Sequence, residues 1–259
     1  MATPDWTGLA SWRGWRLGPV ELLEEVDSTN SEALRRLDER RAAAGLVLVA
    51  RRQSAGHGSR GRSWHDAPGK SLAMTVLLEW PADVPIAVAA WLGVVAITDL
   101  LDELGDLGAR TRIKWPNDAL VRGRKVAGVL AETVRRGDAP IRVALGLGLN
   151  VGHGTDDFPA ELAETATSLA LEGAALDVPT AAMRLAAAVD RRCTELSVRS
   201  GDSIRAAYLQ RLALLDRRVR ARLPERDVDG PLLGLELDGT LQVGDERLSG
   251  GHVSALREL

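Results

Sequence analysis

The chain has 259 residues, 45% of them hydrophobic and 27% charged, with a formal net charge of −3. That length suits one large domain with a small appendage, and that charge excludes the global basic field that indiscriminate nucleic-acid binding requires. The single Cys193 excludes an internal disulfide and a multi-cysteine zinc site.

Residues 1–20 read as a Trp-containing lead-in without the apolar core of a signal peptide. No apolar run reaches membrane-spanning length, so a cytoplasmic protein without membrane contact is expected. Residues 20–26 read as a strand. A helix starts within "DSTNSEALRRLDERRAA", where Thr29 and Glu32 stand at capping-box spacing. Strands are expected at 45–53 and 70–80, an apolar helix at 85–104, and strands at 110–121, 124–134 and 140–151. Helices at 179–198, where Cys193 reads as a buried inert thiol, and at 202–213 close the main body. From Leu215 the pattern alternates and turns on Asp-Gly and Gly-Gly pairs, as in a small all-β unit. The expected fold is α/β (α+β): a mixed, largely antiparallel sheet flanked by helices over residues 1–213, and a β unit over 214–259.

Between the strands at 45–53 and 70–80 lies Gly56-His57-Gly58-Ser59-Arg60-Gly61, a literal G-x-G-x-x-G. A dinucleotide fingerprint must leave a strand and open a helix. Here Pro68 and Gly69 stand where a helix would run, so the segment is strand–loop–strand. The loop still carries nucleotide-binding chemistry. Its glycines let backbone N–H groups approach an anion, Arg60 and Arg62 fork onto phosphate, and Trp64 offers a flat face to a base. A second constellation is "RIKWPNDALVRGRKVAGVLAE" from Arg112. Lys114, Asn117 and Asp118 surround a proline turn, and Lys125 begins an apolar strand. Each has a bland reading as a turn or strand-end residue. Together with the loop they supply what activation of a carboxylate by ATP needs. Cations converge on anionic reactants, and a carboxylate and an amide oxygen suit Mg²⁺ on phosphates.

"DSTN" at Asp27–Asn30, the glycine loop after Gln53, "KWPND" at Lys114–Asp118, "RKVAGVL" at Arg124–Leu130 and "GLGLNV" at Gly146–Val151 resemble the motifs of the biotin–protein ligases. "ATSL" at Ala166–Leu169 and "GGHVSAL" at Gly250–Leu256 extend the resemblance to the C-terminal end. It implies a class II synthetase-like catalytic module with a small SH3-like β-barrel. The implied enzyme makes biotinyl-5′-AMP from biotin and ATP with Mg²⁺, then passes biotin to a lysine of a biotin carboxyl carrier domain. The resemblance places biotin against Ser28, Thr29, Asn30, Gln53, Gly56, His57, Gly58, Ser59, Lys125, Gly128 and Gly148. It places ATP or the adenylate against Arg60, Arg62, Trp64, Lys114, Asn117 and Asn150, and Mg²⁺ at Asp118. Lys125, Asp118, Arg60 and Arg62 are the implied catalytic groups, Asp118 also assisting deprotonation of the incoming amine. Capping of the following helix accounts for Ser28 and Thr29 equally well.

The loop departs from the family pattern, with His57 and Ser59 where arginines are usual. Each lost charge-assisted bond is worth roughly 1.5–3 kcal/mol, or one to two decades of adenylate retention. A leaky ligase, an unchanged one and a ligase for another acid such as lipoate remain alternatives, as does a non-catalytic binding module. Only 26 residues precede Asp27, too few for the helix-turn-helix domain some members carry, so no nucleic-acid partner is expected. Both a monomer and a homodimer are compatible with the sequence.

Overall fold

The computed structural model describes residues 5–199 and 201–259. Seven strands form the main sheet: β1 (Val20–Leu23), β2 (Val47–Ala50), β3 (Ser71–Glu79), β4 (Thr111–Lys114), β5 (Asp118–Val121), β6 (Arg124–Val134) and β7 (Arg142–Asn150). Their spatial order is β1-β2-β3-β7-β6-β5-β4. Only β1 and β2 pair in parallel; every other neighbouring pair is antiparallel.

Helices cover this sheet because its strands are apolar. Helix α1 (Thr7–Ser11) lies in the lead-in and α2 (Thr29–Asp38) follows "DS". Helix α3 (Ala87–Asp102) buries twelve of its residues, from Val88 to Leu101, against the sheet and against α5 (Val178–Arg199) and α6 (Gly201–Arg211). A helix apolar on all sides belongs inside the protein. The short α4 (Leu107–Arg110) leads into β4. Cys193 is buried on α5, and burial pushes its thiol up to about 12, far from thiolate chemistry. The lead-in is held by Asp190 of α5, whose carboxylate accepts backbone N–H bonds from Trp15, Arg16 and Leu17 at 2.8–2.9 Å.

A second, five-stranded sheet has the order β11-β10-β9-β8-β12. Its strands are β8 (Arg218–Arg222), β9 (Asp227–Leu235), β10 (Leu241–Val243), β11 (Glu246–Leu248) and β12 (Ala255–Glu258). Alternating burial along β8 and β9 sets one face inward, as the alternation from Leu215 implies.

Three expectations change. The strand expected over 110–121 is a hairpin, β4 and β5 joined through Trp115-Pro116-Asn117. Proline brings no N–H to a ladder and Asn favours turns, so the segment folds back at that point. The strand expected over 20–26 ends at Leu23, and Val26 touches Gln53 only through an isolated bridge. The capping box does not form. Ser28 is the N-cap without a side-chain cap bond, Thr29 turns its hydroxyl to Gln53, and Glu32 pairs with Arg35 and Arg36.

Candidate active site

A cavity of about 490 Å³ opens over the middle of the main sheet. Its floor is β3, β7, β6 and β5; its lip is the glycine loop between β2 and β3. It is lined by Ser28, Thr29, Asn30, Gln53, His57, Gly58, Ser59, Arg62, Trp64, Lys114, Asn117, Asp118, Lys125, Gly128, Gly148 and Asn150. Five separate sequence motifs thus meet in one place. The G-x-G-x-x-G string leads only into a 3₁₀ turn, Ser59–Gly61, and then into β3, so the geometry of a dinucleotide fingerprint is absent.

At one end of the cavity a polar network is closed. Thr29 donates its N–H and its hydroxyl to Gln53 Oε1 at 2.8 and 3.0 Å. Thr75 donates to Asn30 Oδ1 at 2.6 Å, and Asn30 Nδ2 donates to Glu132 at 2.8 Å. Gln53 is fixed in turn, its N–H given to Asp66 at 2.6 Å. Burial pushes the Asp66 carboxyl up from its usual range. Ser28 and Thr29 make no side-chain capping bond and line the cavity, so capping does not account for them.

At the other end charges converge. Lys125 Nζ lies 2.6 Å from Asp118 Oδ1 and 5.8 Å from the Trp64 ring centre. Backbone bonds lock Lys125 in place: its N–H goes to Thr165, and its carbonyl accepts from Thr167 at 2.8 Å. Gly128 faces the same ammonium. Asn117 donates Nδ2 to the Val129 carbonyl, which leaves its Oδ1 buried without a partner. Tyr208, fully buried on α6, donates to the Pro116 carbonyl at 3.1 Å and holds this turn from behind. Asn150 donates to the Thr167 carbonyl at 2.9 Å, tying the "ATSL" segment to β7.

The loop residues divide. Gly56 lies behind the lip, its carbonyl accepting the Trp64 N–H at 2.9 Å. His57 Nε2 is 3.6 Å from Glu132. Ser59 Oγ accepts from Arg62 at 3.2 Å. Arg60 does not line the cavity. Its guanidinium donates to the Val253 carbonyl at 2.8 Å and to that of Ser254, in the C-terminal sheet region.

Sequence reasoning passed over Thr75, Glu132, Gly146 and Phe158. The alternating glycines of "GLGLNV" held a usable signal. A period of two puts Gly146 and Gly148 on one face of β7, and that face is the cavity floor. Thr75 pairs directly with Gly146 in the sheet.

Phe158 stacks on His153 at 4.8 Å between ring centres. His153 is fully buried and its Nδ1 lacks a partner. Burial first, then the neighbouring His65 and Lys70, pull its pKa from 6.5 down to about 4, against the opposing pull of Asp157. The folded protein therefore keeps this ring neutral where the unfolded chain protonates it. Stability is unaffected by His153 above pH 6.5 and falls as pH drops from 6.5 toward 4. At pH 5 the loss is about 2 kcal/mol. Urea unfolding at pH 7 and pH 5 should show that loss in the wild type and not in His153→Gln.

A sheet-floored cavity lined by a lysine–carboxylate pair, an unpartnered amide oxygen and a tryptophan has the form of a small-molecule site. A family model described as the biotin/lipoate A/B protein ligase family matches residues 22–150. A biotin–[acetyl-CoA-carboxylase] ligase of Mycobacterium tuberculosis is 34% identical over 259 aligned positions, covering 94% of this chain and 91% of that protein. The enzyme of the same name from Paracoccus denitrificans is 37% identical, covering 85% and 92%. Among solved structures, the biotin protein ligase of Aquifex aeolicus in complex with biotin and ATP superposes with a TM-score of 0.77 at 25% identity, covering 93% of this chain and 99% of that one. The class is that of the biotin/lipoate A/B protein ligases. Within it, the chain belongs to the biotin–protein ligase family.

Proposed function

We propose that this enzyme joins biotin to protein through an adenylate, with Lys125 at the centre of the site. The observation that carries the reading is the Lys125–Asp118 pair at 2.6 Å at the charged end of a cavity whose lining also includes Arg62 and Lys114 and whose other end is a closed polar network. The polar wall of Ser28, Thr29, Asn30 and Gln53 suits the ureido head of biotin, which both donates and accepts hydrogen bonds. The biotin carboxylate then lies toward Lys125. It attacks the α-phosphorus of ATP, the α–β phosphoanhydride bond breaks, and pyrophosphate leaves. Lys125, Arg62 and Lys114 offset the charge that builds on the phosphates. The acceptor amine of a biotin carboxyl carrier domain next attacks the acyl carbon. The acyl–oxygen bond breaks, AMP leaves, and the ammonium proton passes to Asp118.

The buried, unpartnered Oδ1 of Asn117 beside the Asp118 carboxylate fits a hard cation. Mg²⁺ held there would neutralise phosphate charge. Residues 1–213 form the catalytic unit in this reading and 214–259 the small β unit. No helix of the described residues is long and apolar enough to cross a membrane.

ATP–pyrophosphate exchange tests the adenylation step without knowledge of the acceptor. Exchange is expected with biotin and not with lipoate. Exchange with lipoate alone would mean a different acid, and none with either would mean a binding module.

The altered loop predicts weak retention. Ser59 offers Arg62 a neutral hydroxyl and gives no charge to an adenylate. Ser59→Arg is expected to slow adenylate dissociation by about one to two decades and to reduce labelling of bystander proteins. Unchanged release and unchanged bystander labelling would remove leakiness from the account.

A further inference from the structure

Arg60 and Arg62 stand two residues apart in one loop, and their motif gives both to phosphate. The structure separates them. Arg62 lines the cavity, whereas Arg60 takes a left-handed backbone conformation, φ 61°, and turns its side chain outward. There it donates to two successive carbonyls, those of Val253 and Ser254. These carbonyls are firmly set. Val253 is fully buried, and the Ser254 N–H is bonded to the Arg222 carbonyl of β8 at 2.8 Å. The same C-terminal segment also lies near the turn of "KWPND", since a Cβ on Gly250 would stand 3.6 Å from the Trp115 ring. The C-terminal sheet region thus holds the loop that forms the lip and lies near Trp115, which opens the β4–β5 turn.

We infer that Arg60 is a positioning residue that docks the glycine loop onto the C-terminal β region, and that it is not a phosphate ligand. A planar fork bonding two adjacent carbonyls fixes orientation as well as distance. It sets the hinge from which Ser59, Arg62 and Trp64 face the cavity. The C-terminal sheet region then controls how tightly the lip closes, even though it contributes no residue to the cavity lining.

Hydrogen exchange on the full chain without ligand, comparing wild type with Arg60→Gln, tests the dock directly. Faster exchange is expected in both 56–63 and 250–256, because each segment holds the other. Arg60→Lys, which keeps one cationic donor, should restore part of the protection. In the activity readout, which rests on the adenylate reading above, Arg60→Gln should speed adenylate dissociation at least tenfold while maximal pyrophosphate exchange stays within about threefold. Arg62→Ala should instead depress maximal exchange. Wild-type exchange in both segments of Arg60→Gln would overturn the dock. So would a loss of maximal pyrophosphate exchange equal to that of Arg62→Ala, which is the mark of a phosphate contact. The hydrogen-exchange result stands whether or not biotin supports pyrophosphate exchange, so failure of the dock and failure of the ligase reading are separate outcomes.

Discussion

Lys125→Ala should lower biotin-dependent pyrophosphate exchange by about 10²–10³ while leaving a folded protein. The ammonium is the one cation in contact with Asp118, at 2.6 Å, among the described residues, and its stem runs beside Gly128 and under Trp64. Its side chain is 33% exposed and that of Asp118 12%. The pair therefore sits at the border between a weak surface bridge and a costly buried one. Losing the lysine leaves the carboxylate largely out of water, worth about 1–3 kcal/mol of stability. That is too little to unfold a chain with so extensive a core, so activity loss will be separable from unfolding. Asp118→Asn is the partner experiment. It keeps the shape and removes the proton acceptor, so transfer from preformed adenylate should slow by about 10²–10⁴. Single-turnover transfer to an acceptor measures this. Equal loss of both half-reactions in both variants would mean that the pair acts only as scaffold.

The sequence disclosed the floor of the site better than its lip. Lys114, Asn117, Asp118, Lys125, Gly128, Gly148 and Asn150 lie on or beside strands whose ladders leave one register each. Period-two alternation then fixes which residues share a face. Apolar residues on both sides of "WPND" read as one strand over 110–121, while the proline turn legible inside that run marks where β4 and β5 fold back. The loop is different in kind. Nothing in the spacing of His57, Ser59, Arg60 and Arg62 says which arginine faces inward. That choice depends on the Val253 and Ser254 carbonyls, nearly 200 residues away in the chain. Glu132 was hidden for a similar reason. A glutamate in a strand reads as solvated, and only the approach of α2 gives it Asn30 as a donor.

Gly148→Ala should weaken adenylate binding by about one to two decades with little loss of stability. A Cβ at Gly148 would stand 2.7 Å from the Cε2 and Cζ2 atoms of Trp64, closer than any side-chain contact allows. One partner must move. β7 is the centre of the sheet, bonded on both sides to β3 and β6, so the indole yields. Trp64 belongs to the loop, where displacement costs no core packing; its indole N–H has no hydrogen-bond partner to lose. If the adenylate rests on Trp64, as the family resemblance implies, what is lost is a flat apolar surface for its base, and stacking on one aromatic side chain is worth about 1–3 kcal/mol. Gly146→Ala, two residues earlier on the same face, makes the informative contrast. Its Cβ would collide with Asn30, which is buried and fixed by Thr75 and Glu132. That network has nowhere to go, so the cost should fall on stability, at about 1–3 kcal/mol. Thermal unfolding with titration of biotin and ATP, read by tryptophan emission, distinguishes the two. If Gly148→Ala binds as wild type does while its emission is unchanged, Trp64 is not the surface on which the nucleotide rests.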